Sequence, residues 1–220
     1  MAALRISWET MERIAPEEPV KEKVVTGEGT APAAEESAPA AEPAKSDRPF
    51  LVYVLDPVGE GADYDKVEKV ILQDERVAYG SRAFHAVRMS SEAAKVDPIV
   101  GKAGSAAPRF VVVSADFKTA VPLEKSRLTA SATWDAMRTA ASKFYAAELE
   151  TTVKEMRSIL IEYDKIAGDR KVLTEKKSRL DAKAAGEEKE IDAKLAALEA
   201  REQKAKDREQ ALWTLKPKSA

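Results

Sequence analysis

The residues best suited to chemistry are four carboxylates that follow a short apolar run. Asp56, Glu60, Asp63 and Asp65 come after Leu51–Leu55, in the stretch LVYVLDPVGEGADYDKV. Carboxylate oxygens are the ligands that Ca²⁺, Mg²⁺ and related cations prefer, and paired carboxylates also serve glycoside hydrolysis. The spacing does not follow the EF-hand pattern, and the same acids favour the N-terminus of a helix. The stretch 56–65 therefore predicts either a site for a divalent cation or small ligand, or a solvated acidic loop.

The glycines of this stretch do not predict a phosphate site. A P-loop needs GxxxxGK[ST], which the chain lacks, and a dinucleotide fingerprint would place its third glycine where Tyr64 stands. The surrounding acids would repel an anion from the helix start. We expect no nucleotide and no other cofactor.

Nucleophilic and thiol chemistry are restricted by composition. The chain has no cysteine, which excludes disulfides, thiolate nucleophiles and cysteine-based zinc sites. His85 is the only histidine, so a Ser–His–Asp triad would have to use it. A single histidine in RAFHAVRM is more typical of a tolerated strand residue, and the sequence predicts no catalytic residue.

The charge balance and hydropathy restrict the partners. Lys and Arg number 36 against 38 Asp and Glu, so no field of one sign attracts nucleic acid or an anionic membrane. No apolar run approaches the roughly 18 residues of a transmembrane helix. The N-terminus carries acids and no apolar h-region, unlike a signal peptide. We expect a cytoplasmic protein that binds neither nucleic acid nor membrane.

Residues 48–148 have the pattern of a compact α/β domain. Apolar runs predict strands over 51–55, 83–89, 110–113 and 120–123. Helical periodicity appears between the first two strands and again from near Ser131. A short helix over 91–96 ends at Asp97-Pro98.

Two segments precede this domain. Residues 26–47 contain no aliphatic residue larger than alanine and no aromatic, which predicts a disordered acidic Ala/Pro linker. Residues 1–25 include alternating apolar residues around Trp8, followed by Ile14. This segment is either an edge strand that folds back on the domain or a peptide that docks on a partner.

Residues 149–216 predict a long coiled-coil helix, followed by a tail over 217–220. A seven-residue step runs through Leu149, Met156, Tyr163, Arg170, Lys177, Ala184, Ile191, Leu198, Ala205 and Leu212. As one helix the segment would be a rod about 100 Å long. Three explanations remain open for the basic residues at core positions: a long single or marginally paired helix, a homodimer that is strongest around 149–180, or a different partner with acids opposite Arg170 and Lys177.

The α/β region resembles the thioredoxin-like family in its pattern. In RPFLVYVLDP a buried strand leads to the loop and helix that hold that family's active site, and AAPRFVVVSADFKTAVPLE matches its cis-proline and β-hairpin. The resemblance implies a three-layer thioredoxin-like domain with Pro108 as the structural cis-proline. The match departs at the active site, because no Cys-x-x-Cys precedes the helix. The resemblance therefore implies a redox-inactive member.

From these features we expect a non-enzymatic adaptor whose domain binds protein and whose coiled coil mediates oligomerisation or assembly into a larger complex. A homo-oligomer is the simplest such assembly. The alternatives are a metal- or small-ligand-dependent enzyme that uses loop 56–65, and a chaperone-like helper that binds clients through its helical arm. The candidate partner-binding residues are Trp8, Ile14, Met156, Tyr163, Ile191, Leu198, Leu212 and Trp213.

Overall fold

The computed structural model describes residues 6–16, 46–56, 59–180 and 185–218. The predicted linker 26–47 therefore lies outside the described residues except for its last two positions. Parts of the N-terminal segment, of the acidic loop and of the C-terminal tail also lie outside the described residues.

A mixed five-stranded sheet forms the centre of the structure, which confirms the α/β fold class. Its strands are β1 (Glu9–Thr10), β2 (Phe50–Leu55), β3 (His85–Ser90), β4 (Arg109–Val113) and β5 (Ala120–Leu123). They lie side by side in the order β1-β3-β2-β4-β5. The neighbours β1–β3 and β3–β2 are parallel, whereas β2–β4 and β4–β5 are antiparallel.

Helices cover both faces of this sheet. The helices are α1 (Ala62–Lys66, continued by a π-helical turn, Val67–Ile71), α2 (Glu75–Gly80), α3 (Ser91–Val96), α4 (Ala130–Phe144), α5 (Leu149–Ser178) and α6 (Ala185–Leu212). Alternate residues of β2 point to opposite faces, as a pleated strand requires. Leu51 and Tyr53 pack with α2, α4 and the start of α5, whereas Val52 and Val54 pack with α3 and the N-terminal segment.

The C-terminal segment differs from the single rod that the heptad step predicted. Helix α5 has 30 residues and α6 has 28, and they pack side by side. Tyr163 contacts Glu209, Arg170 contacts Glu202 and Lys177 contacts Asp192, so residue numbers fall along one helix as they rise along the other. The two helices are therefore antiparallel, and we refer to α5 and α6 together as the helical hairpin.

The described part of the N-terminal segment, residues 6–16, packs on the domain, where a buried carboxylate holds it. Oδ2 of Asp97 accepts hydrogen bonds from the backbone N–H groups of Ile14 at 2.9 Å and Ala15 at 3.2 Å. Oδ1 accepts from Ile99 at 2.9 Å and Val100 at 2.8 Å. Burial alone would raise the pKa of this carboxyl, but the four backbone donors outweigh it and hold the pKa below its ordinary value. Asp97 thus joins the N-terminal segment to the loop that follows α3.

The substitution Asp97→Asn tests this role. Asparagine keeps the shape but places N–H groups opposite backbone donors, so we expect a loss of about 2 kcal/mol in the free energy of unfolding at pH 7. The folded-state pKa is depressed, so the stabilisation is fully present above the unfolded pKa of about 3.9 and is lost as pH falls through the folded value. Urea unfolding between pH 3 and pH 7 should therefore show the two proteins converging at the acid end.

The exposed Asp164→Asn variant is the matched control, and it should change stability by less than about 0.5 kcal/mol. A constant difference between wild type and Asp97→Asn across this pH range would contradict an ionised Asp97.

Candidate functional site

The described residues at the acidic loop after β2 are held in place by side-chain contacts. The Ser91 hydroxyl donates to the Asp56 carboxylate, and the Tyr64 hydroxyl accepts from the Asp56 N–H at 3.0 Å. The Tyr64 ring fills the space beside Gly59, where a Cβ would come within 2.0 Å of it. Asp65 forms an ion pair with Lys69 at 2.9 Å. Among the described residues, which omit 57 and 58, no three acidic or histidine side chains come together as metal ligands.

The segment that leads into β4 contains the proline singled out by the sequence. The Ala107–Pro108 peptide bond is cis. Arg109, which follows it, is 1% exposed and donates to the carbonyls of Ala106 and, at 3.4 Å, Val100. Burial lowers the pKa of this guanidinium, and the nearby Glu124 carboxylate opposes that effect. Sequence reasoning did not single out Arg109, because a basic residue at the start of a strand usually extends into solvent.

The single histidine binds carboxylates. His85 Nε2 lies 2.6 Å from Asp47 Oδ1, and Nδ1 lies 3.8 Å from Glu9 Oε1. The hydrogen bond with His85 is the main reason that the pKa of Asp47 is lowered. Within the described ranges no serine or threonine hydroxyl hydrogen-bonds to His85, so these residues do not form the triad considered above.

The two N-terminal partner-binding candidates contact the domain of their own chain. The Trp8 ring centre lies 5.8 Å from that of Tyr53, and the Arg88 guanidinium lies 5.3 Å from the Trp8 ring centre. Ile14 is 6% exposed and belongs to the apolar cluster beneath α3. These contacts correspond to the interpretation in which the segment folds back on the domain.

The candidates in the C-terminal segment line the contact between α5 and α6 or lie at its base. Met156, Ile191 and Leu198 are 1%, 2% and 6% exposed. The Tyr163 hydroxyl donates to Glu209 at 3.2 Å. Leu212 ends α6, and the Trp213 ring centre lies 5.6 Å from the Arg82 guanidinium.

The basic residues at the heptad core positions of α5 form ion pairs with acids of the same chain. Arg170 Nη2 lies 2.6 Å from Glu202 Oε2, and Lys177 Nζ lies 2.5 Å from Asp192 Oδ1. The bond with Asp192 is the main reason that the pKa of Lys177 is raised. A heptad step shows that a seam exists but does not identify what packs on it. The acids that one of the explanations placed on a different partner lie here on α6 of the same chain.

The base of the hairpin is fixed to the domain at both ends. Leu149 and Val153, which are 2% and 7% exposed, pack into the domain core at the start of α5. At the end of α6, Glu209 pairs with Arg82 at 2.8 Å. Beyond it, the Lys218 N–H donates to the Phe144 carbonyl at 2.8 Å.

Tyr145 anchors the junction between α4 and α5. Its hydroxyl donates to the Ala83 carbonyl at 2.7 Å, and burial raises the pKa of this phenol to about 12. Its backbone pairs with Pro217 from the end of the chain. Sequence reasoning did not identify this role of Tyr145, because a hydrogen bond across 62 positions has no local signature.

The outer part of the hairpin has no such attachment. Among the described residues, none between 165 and 204 forms a hydrogen bond or ion pair with the domain. Its ion pairs join α5 to α6 or neighbouring turns of one helix. The arrangement is a helical arm with a fixed base.

None of the described helices is long and apolar enough to cross a membrane. Comparisons with protein-family models, with curated proteins and with solved structures give no match.

The substitution Ile166→Ala tests whether the two helices pack as described. Ile166 is 2% exposed between α5 and α6, so the shortened side chain leaves a cavity, and we expect a loss of about 2–4 kcal/mol in unfolding free energy. Circular dichroism during denaturant titration measures it.

The matched control is Val172→Ala on the same helix, where the side chain is 65% exposed. It should change stability by less than about 0.5 kcal/mol. Equal effects of the two substitutions would be incompatible with a buried contact between α5 and α6 at Ile166.

Proposed function

We propose that the chain is a non-enzymatic adaptor in which a redox-inactive thioredoxin-like domain holds a helical hairpin that binds a protein partner. The proposal rests on one observation, a difference in contacts between the base of the hairpin and its outer part. Residues near its base are bonded to the domain, whereas the described residues of its outer part, 165–180 and 185–204, form hydrogen bonds and ion pairs only within the hairpin.

Three features support the thioredoxin-like assignment of the domain. The strand order β1-β3-β2-β4-β5 places β2 at the centre, with the helix α1 directly after its loop. A cis Ala107–Pro108 bond precedes β4, and the final helix α4 packs on the sheet. The loop after β2, where that family keeps its thiols, has no cysteine, and the Tyr64 ring of α1 fills the space beside Gly59.

The absence of cysteine from the whole chain supports a role without thiol chemistry. The enzymatic alternative needs ligands that converge at 56–65. Two of the four acids there instead form other contacts, Asp56 with Ser91 and Asp65 with Lys69.

Exposed apolar residues on α5 support a protein partner at the arm. Ile161 and Val172 are 49% and 65% exposed, although most outward positions of α5 are charged. A non-obligate interface is on average only about as apolar as the rest of a protein's surface, so this mixed surface fits such an interface. The residues between α5 and α6 pack against each other within the chain, so they are not available to a second copy. We therefore infer that the partner of the arm is a different protein.

Site-specific photocrosslinking in cells that express the protein tests this proposal. A benzophenone amino acid replaces Val172 on the hairpin, and in a matched control it replaces Val96 at the end of α3, which is 81% exposed. We expect Val172 to give one or a few discrete adducts with a different protein, identified by mass spectrometry, and Val96 to give none of these.

Identical adducts at both positions, or none at Val172, would contradict an interaction arm. If the only adduct joins two copies of this chain, the result would support the homo-oligomer expected from the heptad pattern and would contradict a different protein partner.

A further inference from the structure

A trough lies between α4 and the outer strands of the sheet. The buried row of α4 contains bulky residues such as Trp134 and Met137. On the adjacent side of α4, which faces β5, the apolar residues are Ala132, Ala136 and Ala140, all half-buried, and Thr139 lies beside them. Because these side chains are short, the helix does not cover the edge strand, and a cavity of about 330 Å³ remains open to solvent.

The floor of this trough is apolar. Val112 of β4 and Val121 of β5 face it from the sheet, opposite the alanines of α4. Val121 is only half-buried, although the same face of β4 is fully covered. The volume is at the lower end of the roughly 300–1,000 Å³ typical of small-molecule sites, which favours a small ligand over a peptide.

The rim of the trough carries uncompensated positive charge. Arg127 precedes α4 and Lys143 lies near its end, and both are exposed. Within the described ranges, neither side chain forms an ion pair or a hydrogen bond. The acid on the rim, Asp135, lies 3.4 Å from an Arg138 nitrogen and is thereby partly neutralised.

We propose that this trough binds a small amphipathic carboxylate, such as a medium-chain fatty acid. A guanidinium binds a carboxylate through two parallel hydrogen bonds, so Arg127 is the residue that receives the head group. The apolar chain lies over Val121 and Ala136, where its burial removes apolar surface of both molecules from water. The proposal is independent of the hairpin and of its partner.

Titration of the ¹⁵N-labelled full chain with octanoate, followed by amide chemical shifts, tests the proposal. We expect saturable shifts centred on Val121 and Ala136, with affinity at least tenfold higher than for octylamine at the same ionic strength. Octylamine has the same chain with the opposite charge, so it measures the contribution of the head group.

Two substitutions locate the site. Ala136→Trp fills the trough and should weaken octanoate binding more than tenfold, and Arg127→Gln should weaken it about tenfold while leaving octylamine unaffected. Lys95→Gln on α3, on the other face of the sheet, removes one positive charge as a matched control and should change nothing. If Ala136→Trp does not fold, as judged by circular dichroism, Ala132→Phe fills the same trough from one turn earlier.

Equal affinity for octanoate and octylamine, or unchanged binding in the filled variant, would overturn the proposal. So would the absence of saturable shifts at millimolar octanoate.

Discussion

The pairing of α5 with α6 is the interaction on which the rest of the structure depends. A helix that carries Arg170 and Lys177 in its apolar row gains little from packing against an identical row, because like charges would meet. Glu202, 32 positions after Arg170, and Asp192, 15 positions after Lys177, supply the opposite charges within the chain. Apolar residues close to these pairs along the two helices, such as Ile166 on α5 and Leu198 on α6, are buried.

The antiparallel pairing returns the end of the chain to the domain. Glu209 reaches Arg82, and Pro217 pairs with Tyr145. Asp97 attaches the N-terminal segment to the same domain by accepting hydrogen bonds from the N–H groups of Ile14 and Ala15. The domain is thus bonded to the N-terminal segment and to the end of α6. Under the proposed function, contacts that fix the base of the hairpin would reduce the entropy lost on binding a partner.

Much of the α/β domain could be predicted from local patterns, whereas the long-range pairings could not. The apolar run at 51–55 and the stop at Asp97-Pro98 identify their elements because burial and backbone sterics act locally. The seam residues Met156, Ile191 and Leu198 were also visible, since the seven-residue step marks them. A seven-residue step looks the same whether the packing partner is another chain or a helix of the same chain. The sequence therefore did not predict that α5 pairs with α6, or that the two helices are antiparallel. The trough beside Ala136 was missed because it results from the absence of large side chains.

The most direct test of the central claim measures a distance within the hairpin. The chain has no cysteine, so Lys171→Cys and Glu199→Cys can carry the only two spin labels, measured by pulsed electron paramagnetic resonance in excess unlabelled protein. Packed helix axes lie about 8–10 Å apart, so the account predicts a label separation below about 25 Å that dilution does not change. A separation near 42 Å, the span of one continuous helix at about 1.5 Å per residue, would contradict it.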